Sequence, residues 1–146
     1  MKKPMLLLLA ALFTLSSSLA RAQDDHAYTL GHVLIVSFVR TEPGMFDEYV
    51  HYLDGPYKKL MEEYKKQGII VDYAVYQAQP RDPQDADVIL TVTYKNMAAF
   101  DDLQARADPL TKQVFGSLPK AASASAERGK LRTAIGSQLV RQLILK

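Results

Sequence analysis

The run His32–Arg40 (HVLIVSFVR) is apolar at nearly every position and rich in β-branched and aromatic side chains. That composition suits a strand buried on both faces. Pro43 and Gly44 end it with turn chemistry, and beyond them the period changes. Met45, Phe46, Tyr49, Val50, Leu53, Tyr57, Leu60, Met61 and Tyr64 recur at steps of three and four. At about 100° per residue they share an arc of roughly 160°. Asp47, Glu48, His51, Asp54, Lys58, Glu62, Lys65 and Lys66 fall on the opposite, solvated side. Gly55-Pro56 interrupts this helix without changing its phase, which predicts a bend or a restart at Pro56. Lys65 and Lys66 suit a last turn, and Gly68 suits a left-handed cap. The run Ile69–Gln77 (IIVDYAVYQ) follows at once as a second strand. Strand, helix and strand with tight joints form a crossover unit, whose two strands lie parallel in one sheet.

Residues 80–86 (PRDPQDA) read as a polar turn before a third strand, Val88–Tyr94. Asn96 is placed to cap a helix that Met97, Phe100 and Leu103 begin, Pro109 breaks or restarts, and Leu110, Val114 and Phe115 continue to Gly116. Residues 119–128 are rich in Ala and Ser, a composition open to either a peripheral helix or a mobile flap. Gln138–Leu145 (QLVRQLIL) reads as a fourth strand. The order β-α-β-β-α-β is the α+β, ferredoxin-like sandwich: a four-stranded, mainly antiparallel sheet with helices on one face. Three of the runs are apolar on both parities, and the helices cover only one side. A bare patch of that size does not suit a monomer, so pairing of two sheets in an isologous homodimer is expected.

Residues 1–22 have the form of an export signal. Lys2 and Lys3 open it, Met5–Leu15 is its apolar core, and Ala20-Arg21-Ala22 is a small-x-small cleavage pattern. The apolar core falls short of the ~20 residues that span a bilayer, so no membrane association is expected after cleavage. No cysteine stands at the junction, which removes a lipid anchor; the expected location is the periplasm or the medium. A flexible lead-in over 23–30 and a single domain over 31–146 would follow. The segment also accounts for the basic charge. The whole chain has 18 Lys and Arg against 16 Asp and Glu. Residues 1–22 hold Lys2, Lys3 and Arg21 and no acid, leaving 15 against 16, a net of −1. Charge therefore makes no case for nucleic acid.

The βαββαβ order, the two-faced strands and the long first helix resemble the dimeric α/β-barrel superfamily, and most closely an exported bacterial branch with no assigned activity. The resemblance covers nearly all of residues 23–146. Other branches include cofactor-free monooxygenases of aromatic polyketides, haem-degrading enzymes, and YCII-like and EthD-like proteins. What the resemblance implies is a pocket between sheet and helices in each subunit, with no one reaction attached, because the fold hosts many.

The chemistry-bearing residues narrow the choice. His51 lies where haem-binding relatives place an axial ligand, but its helical angle puts it on the charged side. His26 falls in the lead-in and His32 opens the first strand. No two histidines stand at ligand spacing and no tryptophan is present, so neither metal nor cofactor is expected. No nucleophile motif and no phosphate-cradling glycine loop occurs. Arg40, beside the helix start, could hold an anion or pair with Glu42, Asp47 or Glu48. Arg141 would guard a sheet edge. Asp72, within the second strand, is a general-base candidate if buried alone and otherwise pairs with an arginine across the dimer. Tyr49 and Tyr57 on the buried helix stripe, with Tyr73, Thr93 and Tyr94 on the strands, could line an aromatic cavity or form a polar-tipped core. Three functions remain: a binder of a small apolar or aromatic molecule; a cofactor-independent oxygenase, isomerase or lyase; or an interaction module without a ligand.

Overall fold

The computed structural model describes residues 26–146; the segment expected to direct export lies outside them. Strand β1 (Tyr28–Thr41) is followed by α1 (Phe46–Tyr52), a π-helical turn (Leu53–Tyr57) and α2 (Lys58–Lys66). Then come β2 (Asp72–Gln77), β3 (Val88–Tyr94), a short 3-10 turn (Met97–Phe100), α3 (Leu103–Phe115), α4 (Leu118–Gly129) and β4 (Arg132–Leu145). The sheet order is β2-β3-β1-β4, and every neighbouring pair is antiparallel. β1 and β2 are thus parallel, as the crossover requires, but β3 lies between them. This is the ferredoxin-like topology.

The predicted bend in the first helix takes a specific form. The Lys58 N–H reaches back five residues to the Leu53 carbonyl, and Gly55 leaves helical geometry (φ −94°, ψ −109°) ahead of Pro56. The wide turn has a packing consequence. Tyr49, Leu53, Tyr57 and Met61 are all buried, at steps of four. In a regular helix each such step overshoots a full turn by about 40°, so four residues would drift around the barrel of the helix. A turn bonded i→i+5 holds more residues, and so returns the stripe to one line. Gly68 caps α2 at φ +67°, and the Ile69 N–H closes onto the Tyr64 carbonyl at 2.9 Å.

Several expected boundaries move. β1 takes in Tyr28–Leu30, three residues of the expected lead-in, by pairing them with Leu143–Leu145. Ile69 and Ile70 are buried but finish the helix cap, so β2 starts at Asp72. Asn96 does not cap with its side chain; its fully extended backbone (φ −166°, ψ −175°) leaves only its carbonyl to accept from Ala99. α3 runs straight through Pro109. Both Pro109 and Ala105, whose carbonyl loses its usual partner, are exposed, and water can replace the missing bond. Residues 119–128 are helical, within α4, where the Ser117 hydroxyl accepts from the Lys120 N–H at 3.2 Å. β4 begins six residues before the expected Gln138 because Thr133, Ala134, Gly136 and Ser137 still pair with β1, with Ile135 at an irregularity between them.

The core lies between the helices and one sheet face. Val39, Val88 and Tyr94 from the sheet meet Tyr49, Leu53, Tyr57 and Met61, with Ile35, Leu90, Val92 and Tyr73 packed around them; Val33 is buried on the sheet as well. Strand alternation puts Leu34, Val36, Phe38 and Ile89 on the other face, where each is half-buried. Beyond Arg132, every residue of β4 is exposed.

Candidate functional site

The packing of α1 and the π-helical turn onto the sheet gathers the phenols. Tyr49 is fully buried, and Tyr57 and Tyr94 are each 8% exposed. The Tyr57 and Tyr73 rings meet edge to face, 6.1 Å apart and 79° between planes. Tyr94 packs on Phe100 at 4.5 Å. Two of these phenols have polar partners nearby but outside the cluster proper: Tyr73 Oη donates to Glu62 Oε1 at 2.6 Å, and Tyr64 Oη lies 3.1 Å from Thr111 Oγ1. The Tyr57 hydroxyl is buried and has no hydrogen-bond partner; the Tyr49 hydroxyl is buried too, without a well-aligned partner, though the Arg132 guanidinium stands close enough to donate to it. An unmade bond at a buried polar group costs about 1–3 kcal/mol, which makes the Tyr57 hydroxyl a marked feature of the core.

The surroundings set the electrostatics. Burial pushes the Tyr57 phenol up to about 12, with the neighbouring phenols Tyr49 and Tyr73 adding to it and Arg128 opposing. Burial also raises Tyr49, and the guanidinium groups of Arg132 and then Arg128 work against that rise. Tyr73 is raised to about 12 by desolvation and by its bond to Glu62. Burial raises Tyr94 as well. The two arginines reach the cluster from the other end of the chain. Arg128, on the last turn of α4, stands 5.5 Å over the centre of the Tyr52 ring and donates from Nη2 to Ser125 Oγ at 3.3 Å. Arg132 opens β4 opposite Thr41. The Nε atom of each is buried without a partner.

Of the residues expected at a site, the structure brings Tyr49, Tyr57, Tyr73 and Tyr94 together and leaves three apart. Thr93 is next to Tyr94 on β3 and therefore points to the other face of the sheet. Asp72 is exposed at the start of the edge strand β2, where Lys65 Nζ donates to it at 2.8 Å. Its expected partner, an arginine across a dimer, is not what holds it. Hydrogen bonds from Lys65 and then the Tyr73 backbone keep its carboxyl below the usual range, the reverse of a general base. Arg40 does not pair with Glu42, Asp47 or Glu48; it donates to Gln84 Oε1 at 2.6 Å. It borders a separate cleft of about 370 Å³ formed with Glu42, Pro80 and Asp87, whose carboxylate accepts from the Thr41 N–H (2.9 Å) and hydroxyl. A smaller hollow of about 190 Å³ opens where Tyr73 meets Val50, Leu53 and Lys58. His51 is exposed, and His32 Nδ1 lies 3.3 Å from the Lys95 carbonyl. Among the described residues no group of three or more His, Cys, Asp or Glu is placed to hold a metal ion, and no helix is long and apolar enough to cross a membrane.

Arg128 and Arg132 carry no mark in the sequence. Their convergence depends on the turn between α4 and β4, and neither belongs to an apolar period.

No protein-family profile matches the chain, and no curated sequence matches it. Solved structures do. HapK from Hahella chejuensis superposes with a TM-score of 0.51 at 12% identity, over 75% of this chain and 91% of that one. A dimeric ferredoxin-like protein from an uncultured marine organism gives 0.49 at 13% identity, over 81% and 98%. A dimeric protein of unknown function and ferredoxin-like fold from Bacteroides fragilis NCTC 9343 gives 0.42 at 10% identity, over 77% and 95%. At these identities the likeness is one of fold.

Proposed function

We propose that this chain is an exported, homodimeric α/β-barrel-type domain that holds a small, partly aromatic or apolar molecule between its sheet and helices. The observation carrying this reading is the buried Tyr57 hydroxyl, which has no hydrogen-bond partner, beside a Tyr49 phenol that is equally buried and has only the Arg132 guanidinium near it. A core that only needed apolar bulk would use phenylalanine there, which leaves no polar group unsatisfied. Export rests on residues 1–22, with cleavage after Ala22 and release of the product to the periplasm or medium. The homodimer rests on the sheet face that the helices leave uncovered, where Leu34, Val36, Phe38 and Ile89 are half-buried, and on the apolar side chains of β4, where Ile135, Leu139, Leu143 and Ile144 are each 44–55% exposed. Two such faces pack together and bury one another.

The catalytic alternative, a cofactor-independent oxygenase, isomerase or lyase, has weaker support. Asp72 is ion-paired in solvent and Arg40 is engaged by Gln84, so neither is poised as a free base or acid in the tyrosine cluster. An interaction module without a ligand would leave the two phenols unexplained. Native mass spectrometry of protein purified from the periplasm tests the proposal in one measurement. The expected result is a dimer of chains beginning at Gln23, each carrying one small molecule. An empty monomer overturns it.

A further inference from the structure

β1 and β4 each run for 14 residues, whereas β2 has 6 and β3 has 7. β3 ends at Tyr94, opposite Val33, and beyond that point Tyr28–Leu30 pair with Leu143–Leu145 and with no third strand. A two-stranded ribbon therefore leaves the four-stranded sheet. Its base is built for close approach. A register shift sets Gly31 and His32 opposite Gln142, and a Cβ at Gly31 would lie 2.7 Å from the Gln142 side-chain oxygen. An isolated ribbon of this kind is marginal in water. Yet it holds four apolar side chains at least half exposed: Leu30 (54%), Leu143 (52%), Ile144 (50%) and Leu145 (77%).

Alternation along the strands assigns each of them to a face. Val140 stands opposite Leu34 on the face free of helices, and Ile144 keeps its parity. Val33, opposite Arg141, is on the helix side, so Leu143 and Leu145 share that side, with Leu30 opposite Leu143. Flat pairing of two open faces would cover Val140 and Ile144 and leave the three leucines bare. The ribbon does not stay flat, however: a bulge adds right-handed twist, and two-stranded ribbons twist more than wide sheets. Resting on the homodimer proposed above, we infer that the ribbon is an arm that closes on the second copy of the chain. Ile144 continues the paired faces, and Leu30, Leu143 and Leu145 turn with the ribbon onto the partner's flank. Continuity with the dimer face selects this occupant. β1 and β4 contain no acidic residue, which would also suit an anionic lipid surface, but Asp24 and Asp25 stand just ahead of the ribbon in the chain and oppose one.

The chain has no cysteine, so Leu145→Cys takes a single polarity-sensitive dye at the end of the arm. Its emission should be blue-shifted in the dimer and move to the red on dilution, in step with the dissociation seen by sedimentation. Leu143→Ser combined with Leu145→Ser should raise the dimer dissociation constant about tenfold or more. The far-UV circular dichroism should not change, because neither side chain belongs to the core of its own subunit. Should the double variant unfold, the dye reading decides. A dye that stays in water in the dimer, or a double variant that dimerises as the parent does, overturns the arm and leaves the homodimer standing. A dye buried in the monomer places the ribbon on its own chain and overturns the arm as well. Flotation of the parent with phosphatidylglycerol vesicles, lost in the double variant, gives the ribbon to lipid instead. A parent that is monomeric at micromolar concentration takes down the homodimer reading and the arm with it.

Discussion

Every buried apolar side chain of the described residues lies between Val33 and Tyr94, whereas α3, α4 and β4 contribute none. The first region is a sandwich in miniature: two central strands, a pleated face of valines, and a helix whose inward residues repeat every four. The second covers one flank and edges the sheet, with half-buried and exposed side chains throughout. Burial of apolar area is what stabilises a domain. The first region therefore carries the fold. The second carries what a fold does not need: the two arginines at the phenols and a long apolar strand open on its outer edge.

Substitutions that read the two regions separately should show this. The largest effect is expected in the first. Leu53→Ala, at a site 4% exposed, should cost about 2–5 kcal/mol in urea denaturation. On the other side, Leu139→Lys, at a site 55% exposed, should leave the secondary structure intact and convert a dimer to a monomer in sedimentation velocity. If Leu139→Lys unfolds the chain, β4 is core rather than edge and the comparison fails. Alkaline unfolding gives a third reading. The Tyr57 phenol is raised from 10.0 to about 12, so the folded state keeps its proton while the unfolded state loses it. Stability from this group is complete below pH 10 and is lost as pH climbs from about 10 to about 12, amounting to about 3 kcal/mol. Tyr57→Phe should flatten that limb of the pH profile. A smaller change is expected for Tyr49→Phe: within about 1 kcal/mol for the ligand-free protein, because the buried hydroxyl that disappears has only the Arg132 guanidinium near it. A larger loss would mean that this contact is a full hydrogen bond in solution. Asp72→Asn should be the smallest. The Lys65–Asp72 pair is exposed on both sides, and removing it should leave the denaturation midpoint at pH 7 within experimental scatter.

The same division separates what could be read in the sequence from what could not. Where a buried face is continuous, composition repeats with it. The helix stripe from Tyr49 to Met61 and the strand Val88–Tyr94 are both plain in the residues. β4 is exposed on both faces beyond Arg132, so no alternation marks its first half, and only Gln138–Leu145 reads as strand. α4 half-buries only Ala121, Ala124 and Arg128, which form no apolar period. Asp72 looked internal only because Ile69 and Ile70 read as strand; their role in closing α2 puts Asp72 at the strand's exposed start. Thr93 is a different matter. Its adjacency to Tyr94 already assigns the two to opposite faces, and alternation alone separates them. Arg128 and Arg132 meet the phenols through a turn that only the folded chain brings about, and no local pattern carries that information.

The wide turn at Leu53–Tyr57 sets the phase of everything that follows it. It holds a surplus residue that a regular helix would not. Losing one residue there and closing to ordinary winding leaves eleven steps from Tyr49 to Met61, about 1,100°, or roughly 20° past three turns, so Met61 stays on the sheet. Keeping the full length in a regular helix would instead turn Met61 about 120° away. Natural variants of this chain should therefore carry a one-residue gap within the turn more readily than an exchange that straightens it at full length.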